Sequence, residues 1–247
     1  MRTVVFSDVH GRPEIITAVL EHSGFDPHAD RLVFAGDAVD IGRDAEGCLD
    51  LLDGIGAECL VGNHEYAALV DYLIDDVPVS ESVLRRIEKN VSSGRWPIAA
   101  EADGVLITHA GVSAEFLSDI AGATTDVARL VGLLNLQFRL AVEAGDISHA
   151  PVVEMGGPLW WRPGRYDPAA LGVKQVVGHT PREIAGGDDV IAELEAAGVY
   201  LIDPNVRGWR GRGFAPPVPV RYAIIENGEV RVVDLEREGV TNGTEPA

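Results

Sequence analysis

The sequence predicts an α/β fold whose strand ends carry the chemistry. Three observations lead there. Short β-branched runs alternate with segments of helical spacing through the first third of the 247-residue chain. These runs end in an aspartate, histidine or asparagine with a glycine close by, at the strand termini where open α/β sheets build their sites. Composition is globular, 46% hydrophobic and 24% charged, and the length suffices for a full core in a single domain spanning 1–247.

Taken in order, residues 3–7 form a β-branched and aromatic run expected of a buried strand. Pro13 suits a first helical turn, and Ile15, Ile16, Val19 and Leu20 make one apolar stripe. Residues 31–35 give a second strand, 44–52 a helix and 58–61 a third strand. Residues 66–90 and 125–144 are helical by spacing, with a strand at Val105–Thr108 between them. Strands follow at Gln175–Val177 and at 199–202. Residues 220–225 and 230–233 form a hairpin turning at Asn227-Gly228, a dipeptide that accepts positive φ at both positions. From about residue 238 the chain reads as a frayed tail.

Charge narrows the function classes. Thirty-nine acidic and 20 basic side chains leave a net charge of −19, which disfavours nucleic acid and anionic lipid as partners, and with them a nuclease. A phosphorylated substrate would also be repelled, so any phosphate site must overcome the field locally with metal ions or arginines. Cys48 and Cys59 are too few for a disulfide framework and read as small core residues. No run approaches the ~20 apolar residues of a membrane span. The apolar start meets Asp8 too soon for a signal peptide, so a cytoplasmic location is expected.

The strand ends hold the informative residues. They read Asp8-Val9-His10-Gly11, Gly36-Asp37-Ala38-Val39-Asp40, Gly62-Asn63-His64-Glu65, His109-Ala110-Gly111 and Gly178-His179-Thr180. Four of the seven histidines lie there, whereas His22, His28 and His149 read as solvated surface residues. Carboxylate, imidazole and amide oxygen together suit a borderline divalent cation such as Mn²⁺, Fe²⁺ or Zn²⁺. Alternation along an extended strand end would put Asp8 and His10 on one side, facing one ion. Two ions ~3.5–4 Å apart can hold a bridging hydroxide and stabilise an in-line displacement at phosphorus. Asp37 is the candidate carboxylate between them.

These five motifs, in this order, resemble the calcineurin-like metallophosphoesterases, and more narrowly their phosphoprotein phosphatase branch, which includes bacterial protein phosphatases and diadenosine tetraphosphatases. The likeness runs from Thr3 to about Asp203. It implies two packed mixed β-sheets flanked by helices, a four-layer sandwich. It also implies that Asp8 and His10 hold one metal, that Asp37 bridges, and that Asn63, His109 and His179 hold the second. His64 matches a non-ligand histidine paired with the carboxylate that aligns with Asp40, a pair able to protonate a leaving oxygen. The activity implied is direct attack of a metal-bound hydroxide on a phosphate ester or anhydride. The substrate would be a phosphorylated Ser or Thr side chain or a dinucleoside tetraphosphate. A metal-binding scaffold without turnover is the rival from another class.

The sequence departs from the branch in places. Where relatives place an arginine after the aspartate aligned with Asp40, this chain has Ile41, and Arg43 comes two residues later. Arg43 and Arg162, the latter in Leu159-Trp160-Trp161-Arg162-Pro163, are the candidate substrate-binding arginines. Of the tryptophans, packing is the expected role. Beyond Asp203 an arginine-rich insertion, Arg207-Gly208-Trp209-Arg210-Gly211-Arg212, reads as a solvated loop.

Overall fold

A computed structural model describes residues 1–72, 74, 79–121, 124–163, 172–206 and 220–235. In chain order its elements are β1 (Thr3–Phe6), α1 (Pro13–Ser23), β2 (Arg31–Phe34), α2 (Ala45–Gly54), β3 (Glu58–Cys59), α3 (Asn63–Leu69) and α4 (Glu81–Ser92). Then come β4 (Ala99–Ala102), β5 (Val105–Thr108), α5 (Ala114–Ala121), α6 (Val127–Ala144) and two short 3-10 turns. The chain continues through β6 (Gln175–Val177), α7 (Arg182–Ala185), α8 (Asp188–Ala196), β7 (Val199–Leu201), β8 (Arg221–Glu226) and β9 (Glu229–Asp234).

Strands alternate their side chains between two faces, and here both faces are apolar. Val5 of β1 and Val33 of β2 join Val105, Ile107 and Val176 of the second sheet in one buried cluster between the sheets. Their neighbours Val4, Phe6, Leu32 and Phe34 point the other way, onto Ile15, Ile16 and Val19 of α1 and Leu49 and Leu52 of α2. On the far side, α8 buries Val190, Ile191 and Leu194 against Val177, Val199 and Leu201. The result is two mixed sheets between helices. One runs β3-β2-β1-β8-β9, the other β4-β5-β6-β7. β1, β2 and β3 are parallel, as are β5, β6 and β7, while β8, β9 and β4 are antiparallel to their neighbours. The parallel strands end on the same side of each sheet, which gathers the loops after β1, β2, β3, β5 and β6.

Several sequence readings hold and others are refined. Asn227 and Gly228 both have positive φ, 53° and 76°, as the hairpin turn requires. Cys48 and Cys59 are buried free thiols, and burial pushes the Cys59 thiol up to about 12. His22, His28 and His149 are exposed, although His22 Nδ1 lies 3.0 Å from the Tyr222 hydroxyl. The segment 66–90 is not one helix: α3 begins at Asn63 itself, and α4 starts anew behind a Ser80 cap that accepts from Val83 N–H. β3 stops at Cys59, two residues short of the predicted strand. β4 was not foreseen, because Ala-Ala-Glu-Ala carries no β-branched signal. The Arg207–Arg212 insertion and the tail from residue 238 lie outside the described residues. Among the described residues, no helix is long and apolar enough to cross a membrane.

Candidate metal centre

Backbone geometry at the strand ends is unusual. Asp8, His10, Asp37, Asp40 and His179 have φ of 56°, 46°, 66°, 68° and 61°, in the left-handed region that non-glycine residues seldom occupy. Asp8 and His10 therefore do not continue an extended strand, as alternation predicted. The chain curls after Phe6, and ladder-like bonds from Asp8 N–H to Gly36 O (3.0 Å) and His10 N–H to Asp37 O (2.9 Å) tie the first loop to the second. The two side chains still converge, with His10 Nε2 3.9 Å from Asp8 Oδ1.

Asp37 Oδ2 is the hub. His109 Nε2 lies 3.4 Å from it, His10 Nε2 3.6 Å and His64 Nε2 3.8 Å. Asn63 Oδ1 sits 2.7 Å from His109 Nε2 and 3.0 Å from His179 Nδ1. The His179 backbone N–H reaches back to the Asp8 carboxylate at 3.0 Å. Every residue the sequence assigned to metal binding is thus in one buried cluster. Two sets, Asp8–Asp37–His109 and His10–Asp37–His64, have potential ligand atoms all within 4.8 Å of one another.

The histidines are oriented for this. His10 Nδ1 is 3.0 Å from Val39 O and His109 Nδ1 is 2.9 Å from Ala35 O. A carbonyl there fixes the proton on Nδ1 and turns the Nε2 lone pair toward the cluster. Burial pulls the His109 pKa down to about 3, so the ring is neutral. Asp8 and Asp37 move the other way: burial raises both well above the ordinary carboxylate value, and Asp203 raises Asp8 as Asp8 raises Asp37. Buried carboxylates that repel one another beside neutral imidazoles form a donor set that fits divalent cations.

The catalytic candidates sit at the rim. His64 stands in the first turn of α3, with Nδ1 2.8 Å from Asp40 Oδ2. The pocket is lined by Asp8, His10, Asp37, Asn63, His64 and His179, and by Trp160 and Arg162. Arg162 Nη1 donates to His179 O at 2.9 Å. Arg43 is separated from this group. It is exposed and lines a different groove with Asp40, Asp44, Glu46 and Ser80. The two tryptophans also part company: Trp161 is core, 1% exposed, whereas Trp160 is half-buried on the pocket wall.

Two carboxylates had no role assigned from the sequence. Glu65, 1% exposed, accepts N–H bonds from the loops after β2 and β3. Asp203 lines the pocket, and burial raises its pKa to about 6. The signal for Asp203 was available, since it directly follows the strand read at 199–202.

Paired mixed sheets with a buried aspartate, histidine and asparagine cluster at their strand ends define a protein built to hold divalent cations. The model of the calcineurin-like phosphoesterase family matches residues 1–212, and the chain belongs to that family. Serine/threonine-protein phosphatase 1 of Salmonella typhimurium (strain LT2) is 42% identical over 65 residues, which is 26% of this chain and 30% of that protein. The match therefore spans under a third of that relative's length. A candidate diadenosine tetraphosphatase shares the fold at TM-score 0.52 and 18% identity, over 94% of this chain and 93% of that one. A cold-active protein-tyrosine phosphatase of a psychrophilic Shewanella species does so at 0.58 and 20%, over 95% and 80%.

Proposed function

We propose that the chain is a dinuclear phosphatase, close in reaction to the Ser/Thr protein phosphatases, in which two divalent cations, Mn²⁺ by preference, would be held with Asp37 shared between their two ligand sets. The observation that carries this reading is the convergence on Asp37 Oδ2 of one histidine Nε2 from each proposed ligand set, His10 at 3.6 Å and His109 at 3.4 Å. Asp8 and His10 would hold one cation, Asn63, His109 and His179 the other. When bound, such a pair supplies an activated water and stabilises charge on the phosphoryl oxygens.

The protein's own residues do the rest. His64 Nε2 gives its proton to the leaving oxygen, and Asp40 on Nδ1 fixes the ring so that Nε2 faces the pocket. Arg162 enters the pocket beside His179 and clamps phosphate oxygens through charge-assisted bonds. Arg43 lies in the neighbouring groove, so Arg162 is the better candidate for the clamp.

Hydrolysis of p-nitrophenyl phosphate by metal-stripped protein, with and without Mn²⁺, tests the reading. Activity that requires Mn²⁺ and disappears in Asp37→Asn supports it. Activity retained by Asp37→Asn would sink it, as would undiminished hydrolysis of a phosphoserine peptide by His64→Ala. Comparing a phosphoserine peptide with diadenosine tetraphosphate in the same preparation then separates the protein phosphatase from the dinucleotide hydrolase.

A further inference from the structure

We propose that Glu65 is a positioning residue for the metal centre: its buried carboxylate clamps the two loops that carry Asp37 and Asn63, and so aims Asp37 at the cations. The proposal rests on the metal-centre reading above but concerns a residue that reading does not use.

Glu65 Oε2 accepts from Asp37 N–H at 2.8 Å and from Gly62 N–H at 2.9 Å, and Oε1 accepts from Ala38 N–H at 2.7 Å. Those three donors come from two loops, and Glu65 itself belongs to α3. One side chain thereby pins the end of β2, the end of β3 and the helix start to one another. The chain continues through Asp37. Its Oδ1 accepts from His64 N–H at 3.0 Å, which leaves Oδ2 turned to the histidines. Both ends of Asp37, backbone and carboxylate, are thus held by α3. This matters because Asp37 sits at φ 66°, a conformation non-glycine residues seldom adopt and one that would relax without restraint.

Glycine at 62 is part of the device. A Cβ there would come 2.2 Å from Asp37 Oδ1 and 2.5 Å from Asp37 N, so only glycine allows the loops this close. Glu65 is absent from both metal-capable sets among the described residues, and its oxygens are engaged by backbone. Its role is therefore orientation rather than ligation. Groups that hold metal ligands in this way typically contribute 10–100-fold to metal affinity.

Calorimetric titration of the metal-stripped full chain with Mn²⁺ alone tests this, for wild type, Glu65→Gln, Glu65→Asp and a control, Asn135→Leu. Gln keeps the shape but replaces one acceptor oxygen by an amide donor. Asp keeps the charge but is a methylene too short to meet all three N–H groups. The expected result is a Mn²⁺ affinity roughly 10–100-fold weaker in Glu65→Gln and weaker by a smaller factor in Glu65→Asp. Asn135→Leu, in α6, should lower the melting temperature without altering Mn²⁺ affinity. Folded Glu65→Gln with wild-type affinity overturns the proposal. Should Glu65→Gln not fold, wild-type affinity in Glu65→Asp overturns it equally. A wild-type chain that binds no Mn²⁺ would instead refute the metal centre itself.

Discussion

At the scale of single residues, the site is a set of strained or desolvated groups whose costs make sense only together. Asp8, His10, Asp37, Asp40 and His179 all adopt left-handed backbone; four of them line the pocket, and Asp40 pairs with His64, which does. Asp40 illustrates the logic. One oxygen caps its neighbour's backbone, accepting from Ile41 N–H at 2.7 Å, and the other meets His64 Nδ1 at 2.8 Å. Asp40→Asn keeps the size but removes the carboxylate that orients the His64 ring. The expected loss in kcat is about 10²-fold on a phosphoserine peptide, whose alkoxide must be protonated, and clearly less on p-nitrophenyl phosphate, whose leaving group needs little help. Equal losses on both substrates would deny His64 the role of proton donor. Arg162→Ala should weaken kcat/KM by roughly 10–100-fold, the value of one charge-assisted phosphate contact. Arg43→Ala should leave it near wild type, because Arg43 lines another groove and not the pocket with the metal-capable cluster. Steady-state kinetics of the two variants in parallel decide between them.

At the scale of elements, the edge strand β4 shows what sequence reading could not supply. Its Ala-Ala-Glu-Ala has no strand propensity of its own, and α6 holds it in place. Asn135 Oδ1 accepts from Ile98 N–H at 3.1 Å and from Ala99 N–H at 3.0 Å, while its Nδ2 donates to Ala99 O at 2.8 Å. Asn135→Leu would strand these backbone groups and should cost about 1–3 kcal/mol, measurable as a lower urea midpoint with unchanged slope. β1, β2 and β5 were legible because Val, Ile and Phe crowd them, and the hairpin because Asn227-Gly228 selects one turn. The candidate ligands were legible because Asp8, Asp37, Asn63, His109 and His179 recur at strand ends beside glycine. What stayed hidden depends on long-range geometry. The left-handed curl after Phe6, the exclusion of Arg43 from the pocket and the three bonds of Glu65 each join segments distant in sequence. The helix break before Ser80 was missed for a simpler reason, since apolar spacing on both sides mimics one continuous helix.

At the scale of the whole molecule, a chain of net charge −19 places several of its carboxylates in its interior. Burial raises the Asp203 pKa to about 6 from 3.8, and Asp8 and Asp37 shift the same way. For an acid whose folded pKa is raised, the unfolded chain gives up its proton first as pH climbs. Between about pH 4 and pH 6 the folded state then holds more protons than the unfolded one, so stability falls with rising pH across that window. Acids such as Asp30, whose pKa its hydrogen bond with Arg2 lowers, act oppositely and lose their contribution only in stronger acid. Divalent cations need the deprotonated carboxylates, so their stabilising effect must grow over the same window. The metal-stripped protein should therefore melt at a lower temperature at pH 7 than at pH 5, and added Mn²⁺ should raise the melting temperature far more at pH 7. Asp203→Asn should flatten the metal-free decline. Ionic strength must be held constant, because salt also screens the surface repulsion of a −19 chain, whereas buried pairs respond little. A metal-free melting temperature that climbs from pH 5 to pH 7, with the same Mn²⁺ increment at both, would mean that the buried carboxylates do not govern the molecule's response to pH.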